Sequence, residues 1–204
     1  MDTAVALIEA YLHINGYFTV AEYPVLESLR RGGTRTATDL DILAFRFPEA
    51  GCKVERGGRR VGGPVVFQPD SALGVPAHTA DMIVGEVKEG PAHFNPPARD
   101  PLVLETALAR FGCCPSDTAA AVVKRLLRKG QADTPSGHAV RLIAFGSAPG
   151  GDDLAAKVIT LGHVIDFLRQ HLRRHWNQLG PAQLSQPALA FLALMEKAEK
   201  SERT

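Results

Sequence analysis

The sequence predicts an α/β fold in which a mixed central sheet carries helices on its faces. Two patterns point to it. Apolar residues recur at helical spacing near the N-terminus, and later stretches alternate or run apolar over strand-like lengths. The resulting order is α-β-β-β-α-β with a helical tail, and that alternation favours a sheet covered by helices. Residues 1–150 read as the α/β core. Residues 151–204 read as an extra strand and C-terminal helices packed on or extending it.

Residues 3–15 form the first predicted helix, with a broad stripe of Val5, Ile8 and Leu12 beside Ala4, Leu7 and Tyr11, stopped by Asn15-Gly16. Residues 16–25 are rich in β-branched and aromatic side chains and predict a first strand. A polar turn follows at Arg30-Arg31-Gly32-Gly33-Thr34. Residues 38–47 predict a second strand, with Leu40, Ile42 and Ala44 on one face and Asp39, Asp41, Leu43 and Phe45 on the other. The Gly- and Pro-rich stretch 49–77 contains a basic hairpin around Gly57-Gly58. Residues 81–89 (DMIVGEVKE) form a third strand. Helices are expected at 102–111 and 116–129, the second capped by Ser116. A fourth strand is expected at 139–145, a fifth at 157–161, and helices at 164–179 and 186–200, the last capped by Ser185.

With 45% hydrophobic and 22% charged residues and a formal net charge of +1, the chain has the composition of a globular protein and is no polycation. Any nucleic-acid contact must come from local clusters of Lys and Arg. Three cysteines, two of them adjacent, build neither a disulfide framework nor a paired metal spacing, which suits a reducing cytoplasm. The N-terminus has no basic region before its apolar stretch, and no run is long enough to span a bilayer. A cytoplasmic location away from membranes is the expectation.

The chemistry lies in the second and third strands. Glu86 and Lys88, two positions apart, share one face of a strand whose preceding residues, Met82 to Gly85, suit the centre of a sheet. Asp41 sits between Leu40 and Ile42 in another apolar strand. Charges in such places are costly unless paired or bound to a metal. Metal-assisted phosphodiester hydrolysis accounts for all three. Mg²⁺ takes a few carboxylates and keeps several waters, so Asp41, Glu86 and the Val87 carbonyl could hold it. Lys88 could orient or deprotonate the attacking water or stabilise phosphoryl charge.

Asp41 followed by Glu86-Val87-Lys88, each on a predicted strand, resembles the signature of the PD-(D/E)XK nuclease superfamily. The order α-β-β-β-α-β over residues 3 to about 146 is similar to that superfamily's restriction-endonuclease-like core. The resemblance implies a DNA-cleaving enzyme using Mg²⁺ or Mn²⁺, with Asp41 and Glu86 as metal ligands, Lys88 as the catalytic lysine and Glu9 as the first-helix glutamate. Leu40 stands where the motif has proline, and Asp39 is an alternative or second ligand. Asp81 is rejected as a co-ligand, because five strand residues from Glu86 is about 16 Å and the opposite face. The same fold without turnover, serving as a nucleic-acid-binding or regulatory subunit, is the alternative. A structural ion cluster in an interaction domain is the third reading.

Other features have plainer readings beside functional ones. Glu9 borders the apolar stripe and is either a solvated residue or a site member. His78, His93 and His138 read as surface residues near loops, and Cys113-Cys114 as a helix end against the core. Arg56, Arg59 and Arg60 form the basic cluster best shaped to follow a phosphate backbone. Lys124-Arg125 with Arg128-Lys129 is a second such cluster; Arg30-Arg31 and Arg169 with Arg173-Arg174 are two more. Residues 188–195 are apolar on nearly every side, which predicts either a buried final helix or a homodimer contact.

Overall fold

The computed structural model describes residues 2–28, 32–48, 50, 68–150, 155–179 and 184–201. The basic hairpin with Arg56, Arg59 and Arg60, and the Arg30-Arg31 pair, lie outside them. Helix α1 spans Thr3–Ile14 and is capped by the Asp2 carboxylate, which accepts from the Ala4 amide at 2.7 Å. Strands β1 (Phe18–Ser28), β2 (Thr34–Arg46) and β3 (Asp81–Val87) form an antiparallel meander. Two-residue strand β4 (Pro91–Ala92) precedes helices α2 (Pro101–Arg110) and α3 (Ser116–Lys129). These return the chain to β5 (Gln131–Asp133) and β6 (Ala139–Gly146), and β6 pairs parallel with β3. Then come β7 (Ala148–Pro149), β8 (Lys157–Thr160), α4 (Leu161–Arg174), α5 (Trp176–Leu179) and α6 (Pro187–Ser201).

The main sheet has the order β1-β2-β3-β6, with β5 and β8 sharing the far side of β6. β5 pairs antiparallel with the start of β6 and β8 parallel with its end. The mixed sheet separates two core layers. On one face α2 and α3 pack Leu104, Leu108, Val122 and Leu126 against Leu43, Val84 and Leu142. On the other, α1, α4 and α6 pack Ile8, Leu168 and Leu192 against Ile42, Ile83 and Phe145. The C-terminal segment therefore completes the second layer of the same core. No helix among the described residues is long and apolar enough to cross a membrane.

Several local readings change. Ser116 is the first helical residue of α3, and the cap position belongs to Pro115 without a side-chain bond. The predicted 164–179 helix is two helices broken at His175. His138 is buried, not on the surface; it packs edge-on against Phe45, and burial lowers its pKa. Arg169 and Arg173 are paired with acids of α6, although the Arg173 side chain stays half exposed. Their Nε atoms donate to the buried Glu196 at 2.7 and 2.6 Å, tying α4 to α6. Residues 188–195 are both buried and exposed: Leu189, Leu192 and Ala193 are interior, while Phe191 and Leu194 face out.

β3 is buried at every position, yet it starts with an acid. Asp81 is fully buried and takes a two-pronged ion pair from Arg141, Nε to Oδ1 at 2.8 Å and Nη2 to Oδ2 at 2.5 Å. The Tyr17 hydroxyl donates to the same carboxylate at 2.5 Å. Burial, followed by the charge of Asp81, pushes the Tyr17 pKa well up, so the hydroxyl remains a donor. Arg141 also donates through Nη1 to the Leu73 carbonyl at 2.5 Å. Removing one partner of a desolvated pair leaves a buried charge uncompensated. Arg141→Met is therefore expected to cost about 3–5 kcal/mol, read as a lower urea midpoint with an unchanged slope. A loss within experimental error would show that the pair is not a stabilising contact.

Candidate active site

The Asp41 region forms where the sheet ladder stops. β2 and β3 are paired from Arg46↔Asp81 to Ile42↔Gly85, and the next rung would set Asp41 opposite Glu86. There the Val87 amide donates to Asp41 Oδ2 at 2.8 Å. A side-chain oxygen has captured the donor that a continuing ladder would use. On its other side β3 stays attached, because the Lys88 amide donates to the Phe145 carbonyl at 2.9 Å. The result is a notch between β2 and β3, with β3 held rigidly by β6.

Strand alternation also breaks at this rung. Leu43 belongs to the α2/α3 layer and Ile42 and Ala44 to the opposite layer, yet Leu40 joins Leu43. The expected grouping of Leu40 with Ile42 and Ala44 is therefore corrected. β1 does the same one strand away: Ala21 packs toward α1, while Tyr23 and Val25 pack toward α2. Ala21↔Ile42 and Tyr23↔Leu40 are paired, and Glu22 between them has φ +51°. A non-glycine residue in that region is uncommon, and such irregularities are concentrated at functional sites.

Glu86 and Lys88 emerge from β3 on the α2/α3 side, as alternation from Met82 and Val84 requires. The Lys88 ammonium donates to Glu86 Oε1 at 2.5 Å and lies 3.6 Å from Asp41 Oδ2. One cation thus bridges both carboxylates, and the three motif residues are together. Glu86 is 1% exposed, and its Oε2 has no hydrogen-bond partner. Burial, then the nearby Asp41 charge against the opposing Lys88 hydrogen bond, leaves the Glu86 pKa above its ordinary value. Above this group runs the segment carrying Asn95, whose backbone favours ionised Glu86. Gly146 permits that close passage, since a Cβ there would lie 2.5 Å from the Ala92 nitrogen.

The other sequence-derived candidates lie elsewhere. Glu9, on the α1 side of the sheet, accepts from the Thr19 hydroxyl at 2.9 Å. Asp39 is exposed and opposite Pro24. Lys124 and Arg128 are exposed on α3. Among the described residues no group of three or more His, Cys, Asp and Glu side chains is arranged to hold a metal. The Asp41–Glu86 pair is the two-carboxylate kind that suits a hard, largely hydrated cation, and the orphaned oxygen on Glu86 fits such a ligand. The irregular rung at Glu22 and Asp41 was missed by sequence reasoning, and no residue there announces it. No family model, curated protein or solved structure matches the chain.

A buried acid with a raised pKa opposes folding once it is ionised. Between the unfolded and folded pKa values the native state binds more protons, so stability falls as pH rises through that interval. Glu86→Gln is accordingly expected to raise stability at neutral pH by roughly 1 kcal/mol, an exchange of stability for function common at sites. In melts from acid to neutral pH, the advantage over wild type should shrink toward the acid end. A Gln variant less stable at neutral pH would contradict this assignment.

Proposed function

We propose that the chain is a metal-dependent nuclease with a restriction-endonuclease-like core of the PD-(D/E)XK kind, hydrolysing phosphodiester bonds of DNA. One observation carries the reading: Asp41 and the buried Glu86 share a single ammonium while Glu86 Oε2 is left without a partner. A site with two carboxylates, one lysine and an unfilled oxygen is complementary to a cation.

Asp41 and Glu86 are the residues that would hold Mg²⁺ or Mn²⁺, with the Val87 carbonyl adjacent in sequence. Such an ion supplies Lewis acidity toward a phosphoryl oxygen and lowers the pKa of bound water. Lys88 is held at the same spot by both carboxylates. It carries a proton and a positive charge where a phosphate would approach, so it can orient the water or stabilise charge on the phosphoryl oxygens. The rigid backing of β3 by β6 fixes Glu86 and Lys88 relative to one another. Arg56, Arg59, Arg60, Lys124 and Arg128 are the residues assigned to backbone phosphates, and the exposed apolar side chains of α6 to a homodimer contact.

The test uses linear, supercoiled and branched DNA with Mg²⁺, Mn²⁺ or EDTA. Cleavage should need the metal and fall about 10²-fold or more in Lys88→Ala, Asp41→Asn and Glu86→Gln. No metal-dependent cleavage of any substrate would favour an inactive nucleic-acid-binding subunit. Cleavage that survives all three substitutions would remove these residues from the chemistry.

A further inference from the structure

The basic run on α3 divides between two faces. Lys124 and Arg128 point outward, but Arg125 and Lys129, one turn apart and so on one side of the helix, line a cleft of about 440 Å³. The cleft opens between the last turn of α3, β5 and the backbone around Gly74, with Thr79 and Gln131 in its wall. An adjoining hollow of about 220 Å³ shares Gly74, Lys129, Gln131 and Arg141 and adds Lys157. This volume is in the range of small-ligand sites.

The charges are unevenly committed. Arg141 forms the floor, but its donors are engaged with Asp81, Tyr17 and the Leu73 and Gly74 carbonyls. Arg125 is braced by a 3.1 Å hydrogen bond to the Asp133 carbonyl oxygen. Lys129 and Lys157 are exposed, and neither has an ion-pair partner among the described residues. Asp133 is the one acid in the described lining. The wall is preformed as well. Asp70 anchors the segment leading to Gly74, accepting from Tyr11 at 2.7 Å and lying 2.6 Å from His163 Nε2. Two ammonium groups with no ion-pair partner among the described residues and a braced guanidinium around a polar hollow suit a multivalent oxyanion.

We propose that this cleft binds a phosphate group carried by a nucleotide or a nucleic-acid strand. It is distinct from the scissile position. Arg141 is level with Ile83, and five strand residues to Lys88 span about 16 Å. The proposal stands whether or not the Asp41 site cleaves DNA.

The experiment follows backbone amide shifts in EDTA, so that metal at the Asp41 site does not contribute. The probes are pyrophosphate, a deoxynucleoside monophosphate, and short single strands with and without a 5′-phosphate. Shifts should centre on residues 74–75 and 129–132, and affinity should drop roughly tenfold or more in Lys129→Gln/Lys157→Gln. Arg110→Gln/Lys197→Gln, which removes two exposed charges on α2 and α6 outside the cleft lining, should bind like wild type. Equal binding of both strands would identify the phosphodiester backbone as the source, and dependence on the 5′-phosphate a terminal group; either supports the cleft. The proposal is overturned if no probe shifts these amides at millimolar concentration, or if binding persists in the cleft variant. An equal loss in Arg110→Gln/Lys197→Gln would also overturn it, since that is non-specific attraction.

Discussion

The structure depends on how a strand buried along its whole length accommodates two acidic residues. β3 lies between β2 and β6, with helices on both faces, and carries Asp81 at its start and Glu86 near its end. Water cannot solvate either carboxylate, so each needs a partner from the protein. Asp81 receives Arg141 from β6, the adjacent parallel strand, two residues further along the register. The pair also joins the Leu73 carbonyl and Tyr17, so one ionic contact ties together β3, β6, the approach to β1 and the segment before β3. The other end is organised differently, and that difference defines the site.

At Glu86 the local partner is Lys88, from the same strand, and the group opposite is another acid. Asp41 reaches its place because β2 abandons its regular ladder at that rung and takes the Val87 amide with a side chain. The distortion is shared with β1, where Glu22 adopts positive φ. A regular pleat would place a Leu40 side chain on the lower layer and continue the hydrogen bonding past Val87. The break turns Leu40 up into the α2/α3 core and leaves both carboxylates beyond the last β2–β3 rung. Backbone irregularity and chemistry are thus one feature: the same oxygen that ends the ladder faces the ammonium.

Regular periodicity made much of this legible. The apolar run Met82 to Gly85 in β3 and the two-residue step from Glu86 to Lys88 determine a face without knowledge of the fold, and α3 shows its full amphipathic extent from Ser116 to Lys129. What escaped were features with no period. β5 is three residues long and exists because β6 offers it an edge. Leu40 cannot be assigned a face by counting, because the count fails at Asp41. His138 looks like a loop residue until Phe45 covers it. Arg169 and Arg173 resemble a cationic surface until Glu196, more than twenty residues later, arrives from α6. In each case the deciding neighbour is distant in sequence.

The two ends of β3 also provide an internal comparison that bears on function. A cluster built only for structure should balance its charges and fill its hydrogen-bonding atoms. The Asp81 end does so: one carboxylate, one guanidinium, a hydroxyl kept protonated by burial, and both carboxylate oxygens engaged. The Glu86 end has two carboxyl groups for one ammonium and a buried oxygen with no partner. It sits beside an opened ladder, where the first lies within a closed one. The same strand therefore contains a completed ionic contact and an incomplete one. An ion cluster serving stability alone gives no reason for the second to remain incomplete; under the proposed reading a cation would complete it.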